Sequence, residues 1–180
     1  MSRKRIFICL FSVLFSLSFF AQDLPNGFEG VTLGMSLDET KTQLLKNPDF
    51  GYSGDRDVSL LPGAGRKLIE TNASGGRGSE FLTNCFFQFY NEQLYIITIN
   101  INTQKTDYYS LLTTLTNKYG QPDTLDPQKA VWKSDSITLQ LERPLSVKYI
   151  DNETFDMLKN ASTIQNSYEE QNLQDFLDEF

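Results

Sequence analysis

Residues 85–101 read CFFQFYNEQLYIITINI, the densest apolar run of the chain after its N-terminus. Residues 85–90 and 94–101 are rich in Phe, Tyr, Ile and Thr, the types that fit a pleated, half-buried surface. Asn91-Glu92-Gln93 interrupts them, and Asn tolerates the left-handed backbone of a tight turn. The stretch therefore predicts a long β-hairpin around which the domain is built. With a two-residue turn at Asn91-Glu92, Phe89 faces Leu94, Phe87 faces Ile96 and Cys85 faces Thr98 on one side. Phe86 faces Ile97 on the other side, with Gln88, Tyr90, Tyr95, Ile99 and Ile101. Near the turn the first face is apolar; beyond Ile97 the second one is. The phase changes at the doublets Phe86-Phe87 and Ile96-Ile97. A bulge or cover on both faces accounts for this, and cover on both faces is the plainer expectation.

Working outward from the hairpin, a helix is expected on each side in sequence. Residues 28–33 form an extended lead-in. Ser36 and Glu39 then make an S-x-x-E capping box, in which each side chain satisfies a backbone donor of the first turn. Leu37, Thr40, Leu44 and Leu45 follow at helical spacing, and Asn47-Pro48 stops the run, placing a helix at 37–46. On the other side, Thr106 or Asp107 caps a helix at 108–119, striped by Tyr108, Leu111, Leu112, Leu115 and Tyr119. Gly120 ends it and Pro122 prevents continuation. Strands are expected at 58–61, 67–71, 130–132, 137–141 and 145–149. The last two alternate in the manner of an antiparallel sheet with one wet face. Trp132 reads as a core or edge plug.

The expected fold is thus α+β: an antiparallel sheet built around the hairpin, with the two helices mainly on one face. Both helices stop just before a Pro-Asp pair, Pro48-Asp49 and Pro122-Asp123, which hints at two pseudo-repeats within one domain at 22–150. Residues 151–180 form an acidic tail, with helices expected near 153–161 and 168–179. Its aromatic and aliphatic end, Phe176, Leu177 and Phe180, is the segment singled out for partner binding.

The N-terminus sets the compartment. Arg3, Lys4 and Arg5 precede Ile6 to Ala21, a run whose polar content is essentially serine, and a polar chain follows. That is the layout of a secretory signal peptide at 1–21. The run falls short of the about 20 residues of a membrane span. Ala21 is the natural residue to cleave after, although Phe19 is large where a small residue is preferred; a retained anchor is the alternative. Cleavage removes Cys9 and leaves Cys85 as a lone thiol, a small apolar strand residue.

Charge is unevenly placed. Without the three N-terminal cations the chain has 13 basic and 23 acidic residues, and residues 151–180 alone contribute eight acids against Lys159. Such a chain has no cationic footprint for phosphates, so no nucleic-acid partner is expected. Histidine is absent. The commonest general base and the commonest transition-metal ligand are therefore both missing.

Gly34-Met35-Ser36-x-x-Glu39, opening a short helix after an extended stretch, resembles the start of small bacterial envelope domains of the BamE/SmpA family of outer-membrane assembly lipoproteins. Tyr119-Gly120-Gln121-Pro122 resembles the Leu-Gly-x-Pro exit that follows helices in such domains, and the β-lactamase-inhibitor-protein fold has similar helix-plus-sheet units. The resemblance covers about 30 residues. It implies an α+β periplasmic module acting by protein contact without catalysis, and it brings no functional residues with it. The chain departs from it in lacking a lipid-attached cysteine, in its long 47–80 connection and in its acidic tail.

No residue set specifies a chemistry. Ser–His and Cys–His pairs are impossible, and no S-x-x-K motif occurs. Asp55 with Asp57, or Asp123 with Asp126, offers oxygen ligands but not the pattern of a dedicated Ca²⁺ loop. The loop 72–80, NASGGRGSE, offers backbone donors and Arg77 to an anion, but a strand rather than a helix follows it, so a hairpin connection is expected. No cofactor is expected. The expected function is an exported, non-enzymatic module that binds an envelope protein or a small ligand. The alternatives are a carboxylate-based hydrolase or carbohydrate-active enzyme, which would need paired acids in a deep cleft, and an apolar-ligand carrier. N-terminal sequencing of the exported protein tests the leader: Gln22 is the expected first residue, and a start at Met1 or Ser2 overturns it.

Overall fold

The computed structural model describes residues 23–74 and 78–162, together with Leu177. Its class is α+β, with an eight-stranded antiparallel sheet and a separate two-stranded one. The small sheet pairs β1 (Gly27–Phe28) with β2 (Val31–Thr32). The continuous lead-in expected at 28–33 is instead folded back on itself, because Glu29 and Gly30 both adopt left-handed backbone, with φ of 48° and 83°.

α1 (Leu37–Lys46) starts with the expected capping box: Ser36 Oγ accepts from the Glu39 amide and Glu39 Oε2 accepts from the Ser36 amide. A 3-10 turn, Pro48–Phe50, follows. It ends at Gly51, where φ is 64° and an added Cβ would lie 2.3 Å from the Asn72 carbonyl oxygen, so only glycine fits. β3 (Val58–Leu60), β4 (Arg66–Asn72), β5 (Leu82–Tyr90) and β6 (Gln93–Ile101) then form a meander. α2 (Tyr108–Tyr119) follows, capped by Asp107, whose carboxylate accepts from the Tyr109 and Ser110 amides. A second meander consists of β7 (Thr124–Leu125), β8 (Lys129–Lys133), β9 (Ile137–Glu142) and β10 (Ser146–Asp151). The chain then turns into α3, residues 152–162, capped by Asp151 accepting from the Thr154 amide. The tail helix expected at 168–179 lies outside the described residues apart from Leu177.

A helix followed by a four-strand meander therefore occurs twice. The strand order is β3-β4-β5-β6-β10-β9-β8-β7, so the two meanders meet through their last strands. Residues 96–100 of β6 run antiparallel to 146–150 of β10. The part of β6 that β10 does not reach is covered by the lead-in to α1. Gly34 N donates to Leu94 O, Leu94 N to Met35 O, and Leu37 N to Glu92 O.

The hairpin turn falls at Asn91-Glu92, with φ of 47° and 66°. Phe89 faces Leu94 as expected. Beyond it the register changes. Gln88 faces Ile96, Phe87 faces Ile97 and Cys85 faces Ile99, so Tyr95 is the extra residue of a β-bulge. The bulge resolves the phase change and corrects the expected pairings of Phe87, Cys85 and Phe86. One inserted residue moves every later side chain of β6 to the other face. Cys85, Phe87, Phe89, Leu94, Ile97 and Ile99 then all point into one core. The other face is not fully wet either: Tyr95, Thr98 and Ile150 are buried there.

The core face of the sheet meets Leu37 and Leu44 of α1 and Tyr108 and Tyr119 of α2 in a single cluster. Phe50 stands edge-on to Phe87 at 5.7 Å and to Phe28 at 6.1 Å, pinning the turn after α1 to the sheet. Trp132 is buried, and its indole donates to the Gly120 carbonyl at 2.8 Å, tying the end of α2 to β8. The lone tryptophan is thus a core plug with its one polar atom satisfied.

Two consequences are testable. Glu92 holds left-handed backbone, which costs a non-glycine residue about 1–2 kcal/mol. Its exposed ion pair with Lys67 returns only about 0–1 kcal/mol. Glu92→Gly also enlarges the unfolded ensemble by about 0.4–1 kcal/mol. Chemical denaturation should find it within about 1 kcal/mol of the parent, with a small gain at the midpoints of these ranges, whereas a loss well beyond about 1 kcal/mol would show that the Glu92 side chain contributes more than an exposed ion pair. Cys85 is fully buried, and desolvation pushes its thiol up to about 12 against a smaller opposing effect of the Thr71 hydroxyl. Alkylation at pH 8 should be negligible in the native state and rapid after unfolding; fast native labelling would contradict the packing.

Candidate functional site

A strand alternates its side chains, so a sheet with helices on one face presents a second face of different character. Across this sheet the second face carries a row of small neutral polar side chains. Asn72 of β4 faces Asn84 of β5, and Asn100 of β6 faces Ser146 of β10. Asn84 and Asn100 are joined by a second irregularity in β5. Leu82 faces Ile101 and Cys85 faces Ile99, so Thr83 and Asn84 together oppose the single residue Asn100. This bulge turns Asn84 toward Asn100, whose Nδ2 donates to Asn84 Oδ1 at 2.9 Å. Thr83 Oγ1 donates to the Asn100 carbonyl at 3.2 Å, locking the bulge from the other side.

Thr83, Asn84, Asn100 and Ser146 line an open groove of about 490 Å³ at one end of the sheet, with Asn72 outside it. Ile101, Pro144 and Leu145 supply its apolar part. The rim is the turn after β6, where Asn102 Nδ2 donates to the Glu80 carbonyl and Asn102 Oδ1 accepts from the Gln104 amide. No charged side chain lines it. Among the described residues, Asn84 Nδ2, Asn100 Oδ1 and Ser146 Oγ have no protein partner.

A second groove, about 310 Å³, lies where α3 meets the same face of the second meander. Phe155, Asp156 and Lys159 of α3 face Val131, Gln140 and Ile150 across it, with Lys129 and Lys133 at its margin. The N-terminus of α3 is fixed by Asn152, which accepts from Thr138 Oγ1 at 2.6 Å and donates to the Ser134 carbonyl at 2.9 Å. Phe155 remains partly exposed, so the helix does not fill the space.

The residues singled out from sequence are scattered. Asp55 pairs with Lys41. Asp57 accepts from the Ser53 amide, Asp123 from the Lys133 amide, and Asp126 from the Gln128 and Lys129 amides. Asp55 is held by a side-chain ion pair and the other three hold backbone amides, and among the described residues no three His, Cys, Asp or Glu side chains lie together as a metal site. Leu177 is helical and exposed, while Phe176, Phe180 and Arg77 lie outside the described residues. Glu39 is held below the usual carboxylate range by the Ser36 amide and hydroxyl, and Asp107 by the Ser110 amide and hydroxyl. Those shifts suit caps and oppose the raised value a general acid needs at neutral pH. Burial pushes the Tyr95 phenol up, partly offset by Arg66, so it stays neutral on the second face.

Sequence reasoning passed over Asn84, Asn100 and Ser146. The available signal was compositional: asparagine is depleted in strands, yet it stands inside β5 and β6. What could not be read locally is the bulge that brings the two amides together.

No curated protein and no solved structure matches this chain. A family model, described as the TP0088 domain, matches residues 26–161. That span runs from just before β1 into α3 and takes in both meanders and both grooves, and the chain belongs to the TP0088 domain family.

Proposed function

We propose that this chain is an exported, non-catalytic binding module, periplasmic or secreted, that meets its ligand or partner on the sheet face opposite α1 and α2. One observation carries the reading. On that face a bulge in β5 gathers amides of two strands, with the Ser146 hydroxyl of a third beside them, at an open groove, and their hydrogen-bonding capacity is left unused by the protein. Bulges re-aim side chains beside functional sites more often than elsewhere.

The signal-like N-terminus and the lack of histidine support the same reading, as does the contact role implied by the resemblance to envelope domains. A carboxylate-based hydrolase is less well supported. The groove along α1 brings Asp38 near Glu39, but Glu39 is committed to its capping box. The groove under α3 offers Asp156 beside Lys159. An apolar-ligand carrier fits poorly with a sheet–helix interface filled by Trp132, Phe50, Phe87 and Phe89. The acidic segment after α3, with Phe176, Leu177 and Phe180, is proposed as an additional partner contact.

Photo-crosslinking in the native cell tests the assignment. A crosslinker placed at Gln88 or Gln140, on the proposed face, should give reproducible adducts. The same group at Thr42 of α1 or Thr113 of α2 should give few. Equal yields, or adducts confined to the helices, would place the contact elsewhere.

A further inference from the structure

We infer that the amide groove binds a neutral sugar unit. The inference rests on the binding-module reading above and names the chemistry of its ligand.

Residue choice is the first argument. Asparagine fits a strand poorly, and threonine would fill the same positions with less strain on the backbone preference. Yet Asn72, Asn84 and Asn100 stand in neighbouring strands at one level of the sheet, with Ser146 next in line. Places where a chain breaks a local rule without a stabilising return are where function is expected. The bulge at Thr83-Asn84 is a second rule broken at the same level.

Unused valence is the second argument. Asn84 presents a free amide donor, Asn100 a free carbonyl acceptor, and Ser146 a hydroxyl that does both. A sugar hydroxyl also donates and accepts, so neighbouring hydroxyls of one ring match such a mixed row. Pro144 and the accessible part of Ile101 offer a small apolar surface for the C–H face of the ring, above the buried Leu145. The lining lacks charge, and the nearby Lys148 and Glu142 neutralise each other, so the groove favours a neutral ligand over a phosphate, a carboxylate or an ammonium group. Its volume of about 490 Å³ suits a small ligand.

Topology argues against a peptide main chain. Peptides that use backbone hydrogen bonds usually add to an exposed strand edge. β5, β6 and β10 are interior strands with neighbours on both sides. What they offer is side chains standing off a paired sheet, which suits a ligand carrying its own hydroxyls.

Nitrogen-15 NMR titration of the intact exported chain tests this, with chitotriose and maltotriose as neutral probes and triglycine as the peptide control. At least one sugar should move the side-chain amide signals of Asn84 and Asn100 with a dissociation constant near or below about 10 mM, the weak end expected of a shallow site. Asn100→Thr should keep or raise the melting temperature while weakening that sugar about tenfold, the weight of one well-made hydrogen bond. Ser146→Ala provides a second variant should Asn100→Thr not fold, with the same loss of affinity expected. The inference is overturned if neither sugar shifts these signals, if triglycine shifts them and the sugars do not, or if the soluble variants bind as the parent does. Adducts that persist at Gln88 and Gln140 alongside a failed titration would remove the sugar and leave the binding face standing.

Discussion

The pairing of β6 with β10 is the constraint on which the rest of the molecule depends. Each meander alone would leave its last strand with an open edge, a row of unpaired donors and acceptors that invites association. Joining 96–100 to 146–150 closes both edges and makes one sheet of two halves. It also aligns their apolar faces, with Ile97 beside Tyr149 and Ile99 beside Val147. α1 and α2 can then share a single core instead of covering two small ones. The alignment holds only because Tyr95 bulges. Without that extra residue the apolar side chains of β6 beyond the turn would face away from those of β10. Where β10 stops short, Met35 and Gly34 take over the pairing of Leu94, so the start of α1 is positioned by the same strand.

Ion pairs contribute little to this arrangement. Lys41–Asp55, Lys67–Glu92 and Lys105–Glu80 each have at least one well-exposed partner, and such pairs are worth about 0–1 kcal/mol. Lys148–Glu142 is more sheltered, but it lies on the second face beside Ser146 rather than in the core. Stability comes instead from burial: fully sequestering a Leu, Ile or Phe contributes about 1.5–3 kcal/mol each. The chain's acidic excess is therefore a property of its surface and tail, free to serve solubility or contacts.

What the sequence made legible was local. Asn91-Glu92 marked the turn, Ser36 and Glu39 marked the start of α1, and Gly120 marked the end of α2, because each signal lies within a few residues of what it controls. The pairing of the two meanders' last strands, by contrast, had no local signature. Both bulges escaped for the same reason. A bulge is a relation between two strands, and the doublets Phe86-Phe87 and Ile96-Ile97 showed only that some irregularity was needed. The candidate site suffered most. Asn84 looked like the residue before the hairpin rather than part of β5, whose true start is Leu82, and Asn100 looked like an interruption of an apolar face.

The amide row is where fold and function pull in different directions. At a level of the sheet where β-branched residues would pack best, four adjacent strands carry Asn72, Asn84, Asn100 and Ser146. The Asn84–Asn100 hydrogen bond cannot account for this by itself. A neutral hydrogen bond adds about 0.5–1.5 kcal/mol net, and the strand propensity given up at two positions is of similar size. The pair is therefore close to neutral for stability, and the bulge that creates it removes ladder pairing at Thr83. A feature that breaks even energetically, needs an irregular backbone and leaves donors and acceptors open to a groove has no account in stability, and the proposed ligand supplies one. The β6–β10 seam matters here as well. It sets Ser146 beside Asn100, so the junction that completes the core also completes the row of polar groups on the opposite face.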